Sequence, residues 1–464
     1  MDRRSVSRAL KVMRELAASV VLAGITTSLG RAANAIPKFF GANLTTHSQP
    51  DSPRAASRAM KTAAREEQEL SAGRLVRDTV WHSMANSRHK ILQMSRPALG
   101  RRLIAVLVAA AAVLAGAGTL APAEADVNTG APAMTANNGA VNIAVDGPNH
   151  SLLFYWAVDG SPTWHVETVA GPGTTYSPPA MIVNGNNVNI VTEGPDNSLM
   201  FYWAVNGSPT WNAETVAGPG TTFDVPAITT GANVVDIAAK GPDESLMFYW
   251  ARNGSPTWNA ETVLPALQGA GSAPSITIAG NDIYIAFTGI LDVLGVVWQP
   301  IGSSGWTYEH PPAPPIETSF GVPGIAANGN TVDVTYTAYG QITFLWSFDG
   351  SSAWNAETVD GTGNASFYSA MPIAAGNGSI VIAATTRQSQ LMFYWAAIGT
   401  GTWHAETVAG LNSTLSSPSI TLNGNAVNIS AIGPGGELDF YWALDGTATW
   451  NPEEISGGVG LPLP

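Results

Sequence analysis

Past residue 130, short apolar runs alternate with turns built from Gly, Asn, Asp and Pro, and the pattern renews itself about every 48 residues. The unit from Pro179 to Thr222 shows the layout. A first short run ends at Asn184-Gly185, a pair that favours a tight hairpin. A second run alternates through Val188 and Ile190, which predicts a half-buried strand. A Gly194-Pro195 corner follows, and then the unbroken apolar run Leu199-Met200-Phe201-Tyr202-Trp203-Ala204. A run without alternation predicts a strand buried on both faces. Asn206-Gly207 turns the chain into a fourth strand, Trp211 to Val216. No stretch of the unit carries a helical period.

The repetition decides the fold. The first tryptophan recurs as Trp156, Trp203, Trp250, Trp298, Trp346, Trp395 and Trp442, at spacings of 47 to 49 residues. Eight residues after each comes a second: Trp164, Trp211, Trp258, Trp306, Trp354, Trp403 and Trp450. Three residues further stands a glutamate: Glu167, Glu214, Glu261, Glu309, Glu357, Glu406 and Glu453. A single four-stranded antiparallel unit cannot bury both of its faces. Seven closed into a ring bury each face against a neighbour and leave no long sheet edge. The fold class is therefore all-β, a seven-bladed β-propeller of four-stranded antiparallel blades spanning 126–464. The terminal units resemble the central ones, which argues against an open, capped solenoid. No strand is visibly borrowed to close the ring, although the tail from Ile455 to Pro464 is placed to pack across the seam.

Charge divides the 464 residues in two. Residues 1–125 hold 18 of the 21 Lys and Arg but 8 of the 34 Asp and Glu. The remainder keeps three cations, Lys240, Arg252 and Arg387, against 26 acids. So acidic a body is unsuited to nucleic acid. The absence of cysteine excludes a disulfide framework, a thiolate metal site and a Cys nucleophile. Within the basic part, residues 94–125 carry a signal-peptide pattern: Arg96, Arg101 and Arg102, an apolar run from Leu103 to Leu120, and the small-residue site Ala123-Glu124-Ala125. The expectation is export, with no stable membrane span after cleavage and a secreted, extracellular protein. Residues 1–93 read as a basic, poorly ordered extension, or as upstream sequence if translation starts at Met94.

The chemistry sits beside the second tryptophan. An outer-strand aromatic can stack on the apolar face of a sugar, and an adjoining amide or imidazole with a carboxylate can satisfy vicinal hydroxyls. The candidate binding residues are Trp164, His165 and Glu167; Trp211, Asn212 and Glu214; Trp258, Asn259 and Glu261; Trp354, Asn355 and Glu357; Trp403, His404 and Glu406; and Trp450, Asn451 and Glu453. The same glutamates can equally accept hydrogen bonds from a neighbouring blade and fix the ring. In a strand, the Asn or His and the Glu point to one side and the tryptophan to the other.

The turn Asp159-Gly160-Ser161-Pro162-Thr163-Trp164 resembles the Asp-box of sialidase propellers, with its glycine one position early. Residues 131–457 resemble the tectonin-type and bacterial propeller lectins in repeat length, blade number and paired aromatics. That resemblance implies sugar binding in several equivalent pockets between blades. Six-bladed fucose lectins place an arginine in each pocket, and here only Arg252 and Arg387 are at hand, too few for that scheme or for the arginine cluster of sialidase chemistry. A glycosidase needs two carboxylates at a fixed separation. Only the divergent units offer asymmetric candidates, Tyr308-Glu309-His310 and Asp333 with Tyr336 and Tyr339. No metal or phosphate motif is present. The expectation is a non-catalytic, cofactor-free, lectin-like propeller for glycans or cell-surface polysaccharide. A protein-interaction scaffold is the alternative, and a polysaccharide-active hydrolase or lyase comes third.

Overall fold

The computed structural model describes residues 130–455, apart from 138, 232, 267, 291, 312–320, 367 and 368. The signal-peptide and extension readings therefore lie outside the described residues. Among the described residues no helix is long and apolar enough to cross a membrane. They form seven sheets of four consecutive strands, each pairing antiparallel in chain order. Blade 2 is representative, with strands Ala180–Asn184, Asn187–Glu193, Leu199–Val205 and Asn212–Ala217. The first strand of every blade lies against the first strands of both neighbours, and that of blade 1 meets that of blade 7. The ring is thus closed, with first strands innermost and fourth strands at the rim.

Two turn types alternate between the faces of the disc. The hairpins joining strands 1–2 and 3–4 share one face, where the Asn206 N–H donates to the Asn186 carbonyl. The 2–3 corner and the connection to the next blade share the other, where the Gly220 and Thr221 N–H groups donate to the Asp196 and Asn197 carbonyls. The 3–4 turn needs glycine: Gly207 sits at φ +79°, with equivalents at Gly160, Gly254, Gly302, Gly350, Gly399 and Gly446. A Cβ at Gly207 would meet nothing within 4 Å, so its cost is backbone strain alone. Gly207→Ala should therefore destabilise by about 1–2 kcal/mol, read in urea denaturation.

The second strand departs from its half-buried expectation. Of Asn187–Glu193, all but the two end residues are buried, Asn189 and Thr192 included. Alternation along this strand separates two dry faces rather than a dry face from a wet one. Val188 and Ile190 pack toward blade 1, with Phe154 and Leu152. Val191 packs toward blade 3, with Ile228, Val235 and Ile237. In the fourth strand Asn212, Ala213 and Thr215 are exposed and no residue is buried, as its rim location requires.

The seam is built like every other interface. Met134, Val141, Ile143 and Tyr155 of blade 1 pack with Ile432, Leu438 and Phe440 of blade 7, and Ile455 joins this cluster at its margin. Each fully buried Ile, Leu or Phe contributes about 1.5–3 kcal/mol, so closure rests on ordinary core packing. Among the described residues no strand crosses over.

Candidate functional site

Each blade interface carries the same polar construction near the 3–4 turn. Trp203 and Phe201 of the third strand lie on the side of blade 2 that faces blade 3, cross-strand from Asn212 and Glu214. Trp258 of blade 3 enters this space edge-on to Phe201, ring centroids 5.1 Å apart. Glu214 ties the three together. Its Oε1 accepts from the Trp203 Nε1–H at 3.0 Å, and its Oε2 from the Trp258 Nε1–H at 3.0 Å.

This latch repeats around the ring. Every second tryptophan donates to the glutamate of the preceding blade: Trp211 to Glu167, Trp306 to Glu261, Trp354 to Glu309, Trp403 to Glu357 and Trp450 to Glu406, at 2.7–3.2 Å. Trp164 of blade 1 donates to Glu453 of blade 7 at 3.0 Å, so the latch also bridges the seam. The first tryptophans Trp156, Trp298, Trp395 and Trp442 donate to their own blade's glutamate as Trp203 does. In blade 3 the Gln299 side chain of blade 4 also donates to Glu261. The edge-on Phe contact recurs at Phe154–Trp211, Phe248–Trp306, Phe344–Trp403, Phe393–Trp450 and Phe440–Trp164. At the interface of blades 4 and 5 the Phe position is Val296.

The structure thus brings the predicted Trp and Glu of different blades into one cleft, with each carboxylate accepting at least one indole N–H from the next blade. An ionised carboxylate offers about four lone-pair sites, so two indoles leave acceptor capacity at the cleft mouth. The predicted amides and imidazoles are placed otherwise. His165 stacks on Trp156 at 4.1 Å and His404 on Trp395 at 4.2 Å. Asn212, Asn259 and Asn451 donate to the carbonyls of Trp203, Trp250 and Trp442 at 3.2–3.4 Å. Asn355 is exposed at the start of its fourth strand.

A further position faces the clefts, the second-strand residue opposite the first tryptophan, and of its seven occupants the sequence pattern singled out Asp333 alone. The position holds Asn142, Asn189, Asp236, Tyr284, Asp333, Val381 and Asn428 in blades 1 to 7. A polar residue flanked by Val and Ile in a strand whose two faces are both covered was the available signal. Burial raises the carboxyls of Asp236 and Asp333 from 3.8 to about 7. For Asp333 the nearby Glu357 charge pushes the same way, and a Thr331 hydrogen bond opposes it. The asymmetric candidates Asp333 and Tyr336 are both 2% exposed, too enclosed to meet a polymer directly.

At the seam the cleft is open. A cavity of about 550 Å³ is lined by Trp442, Phe440, Glu453 and Asn428 of blade 7 and by Trp164 and the Asp159–Pro162 turn of blade 1. Its volume lies in the range of small-ligand sites.

No family model and no curated protein matches the chain. Solved structures do. The BP39L lectin from Burkholderia pseudomallei is 17% identical and superposes with a TM-score of 0.63 over 71% of this chain and 99% of that one. AofleA from Arthrobotrys oligospora is 14% identical, with a TM-score of 0.44 over 61% and 88%. A structure from a study of two prolyl endopeptidases is 11% identical, with a TM-score of 0.46 over 73% and 51%. At these identities the likeness is one of fold.

Proposed function

We propose that this chain is an exported, non-catalytic carbohydrate-binding propeller that meets glycans or cell-surface polysaccharide through the clefts between its blades. The observation that carries the reading is the seam cavity, where indole and phenyl surface, a carboxylate with spare lone pairs and side-chain amides converge. Aromatic surface beside a few polar groups suits a pyranose, whose ring has an apolar face and a hydroxyl edge. The match in fold to a protein named as a lectin supports the same conclusion. In this reading the latched tryptophans (Trp164, Trp211, Trp258, Trp354, Trp403, Trp450) and their glutamates form the cleft walls, and the His and Asn beside them form the lip. Repeated clefts around a ring give avidity on a polymer that a single weak site does not.

The test is a glycan array probed with the purified full-length protein. Binding to a defined set of glycans is expected, weakened at least tenfold in Trp442→Ala. No signal on any glycan at high protein density overturns the reading.

A further inference from the structure

The repeat makes the clefts look interchangeable, but the residue at the back and the space in front of it vary around the ring. In the seam cleft it is Asn428, 3% exposed and among the residues lining the cavity. Its Nδ2 makes no hydrogen bond within the protein. A buried amide without a partner costs about 1–3 kcal/mol, and a chain tolerates that where a ligand supplies the missing acceptor. Asn189 of blade 2 is likewise buried with an unpaired Nδ2, so what sets Asn428 apart is the cavity it lines, and at other interfaces the position is filled or satisfied differently. Tyr284 fills the interface of blades 4 and 5, its hydroxyl donating to Asp349 at 3.0 Å and accepting from the Gly350 N–H at 2.8 Å. Val381 leaves the interface of blades 6 and 7 without a polar group there, and Asn142 donates to Asn137 at 2.8 Å.

The charge around the seam cavity is one-sided. Its ionisable lining residues are Asp159 and Glu453, and none of the described lining residues is Lys or Arg. Glu453 accepts from Trp442 and Trp164, and Asp159 from the Asn423 amide, so both carboxylates are held in place. Anionic groups entering here meet like charge with no cation to offset it.

Building on the carbohydrate-binding reading, we propose that the clefts are unequal and that the seam cleft is the principal site, taking one uncharged pyranose whose hydroxyl or ring oxygen accepts from Asn428 Nδ2 while Glu453 accepts from a hydroxyl. Uronic and sialic acids are excluded by Asp159 and Glu453.

Calorimetric titration of the full-length protein tests this, using the methyl glycosides of glucose, galactose, mannose and fucose beside glucuronic and N-acetylneuraminic acids. At least one neutral glycoside should bind and neither acid should. Asn428→Leu, which keeps the branched heavy-atom skeleton, should weaken that binding at least tenfold while the melting temperature holds or rises, because it removes an unsatisfied polar group. A structural role for Asn428 would instead lower the melting temperature. Tyr284→Phe, in a filled cleft, should leave binding unchanged. The proposal is overturned if a neutral glycoside binds Asn428→Leu as tightly as the native chain, or if an acidic sugar binds best. Failure of every sugar to bind removes the carbohydrate reading itself.

Discussion

At pH 8, Asp236→Asn and Asp333→Asn should each raise the unfolding free energy, by up to about 4 kcal/mol, and at pH 4 neither should change it appreciably. Both carboxyls are buried and held at about 7 in the fold, against an ordinary value of 3.8. Below 3.8 the group is protonated folded or unfolded and contributes nothing to pH dependence. Between 3.8 and about 7 the folded state binds the extra proton, so stability falls as pH rises, and above 7 the penalty is complete. About three pH units at 1.36 kcal/mol each set the upper figure. Blades 1, 2 and 7 already carry Asn at this position, which shows that the amide fits. Urea denaturation across pH 4–8 should give a native chain less stable at pH 8 than at pH 5, and a double variant with a flatter profile. Equal stability gains at pH 4 and pH 8 would mean that burial of charge is not the cause.

Breaking one inter-blade latch should cost about 2–4 kcal/mol. In Glu214→Ala the indole N–H groups of Trp203 and Trp258 both lose a charged acceptor. Hydrogen bonds to charged groups are worth about 1.5–3 kcal/mol each, and both indoles are only partly buried, so water recovers part of the loss. Trp258→Phe keeps the packing on Phe201 and removes only the N–H. The coupling between it and Glu214→Ala in a double-mutant cycle should be about 1–2 kcal/mol. Coupling near zero would reduce the glutamate to a surface charge. The same change at Glu453 reads the seam, where the covalent chain does not join the two blades.

The two predictions separate two kinds of information in the repeat. Three marks in fixed phase (Trp, then Trp, then Glu) showed that one unit recurs, and a unit with two apolar faces and no helical period can only hide both by stacking. Blade number, strand count and antiparallel order follow from that arithmetic alone. The identity of the latch did not follow, because each glutamate's second partner is 44–46 residues away within the ring and 289 away across the seam. Sequence placed carboxylate and indole on opposite sides of one strand, and only packing of adjacent blades brings each to the other's partner.

The sequence by itself determined a closed ring of seven similar sheets, since backbone hydrogen bonding and apolar burial have no other economical solution for this pattern. The tertiary structure alone decided which polar groups are consumed in holding that ring and which stay unpaired. Val188 and Asn189 read as inside and outside along the chain, yet both are buried, one toward each neighbouring blade. Whether a buried amide finds a partner depends on a side chain from another unit, and local pattern carries no record of that distance.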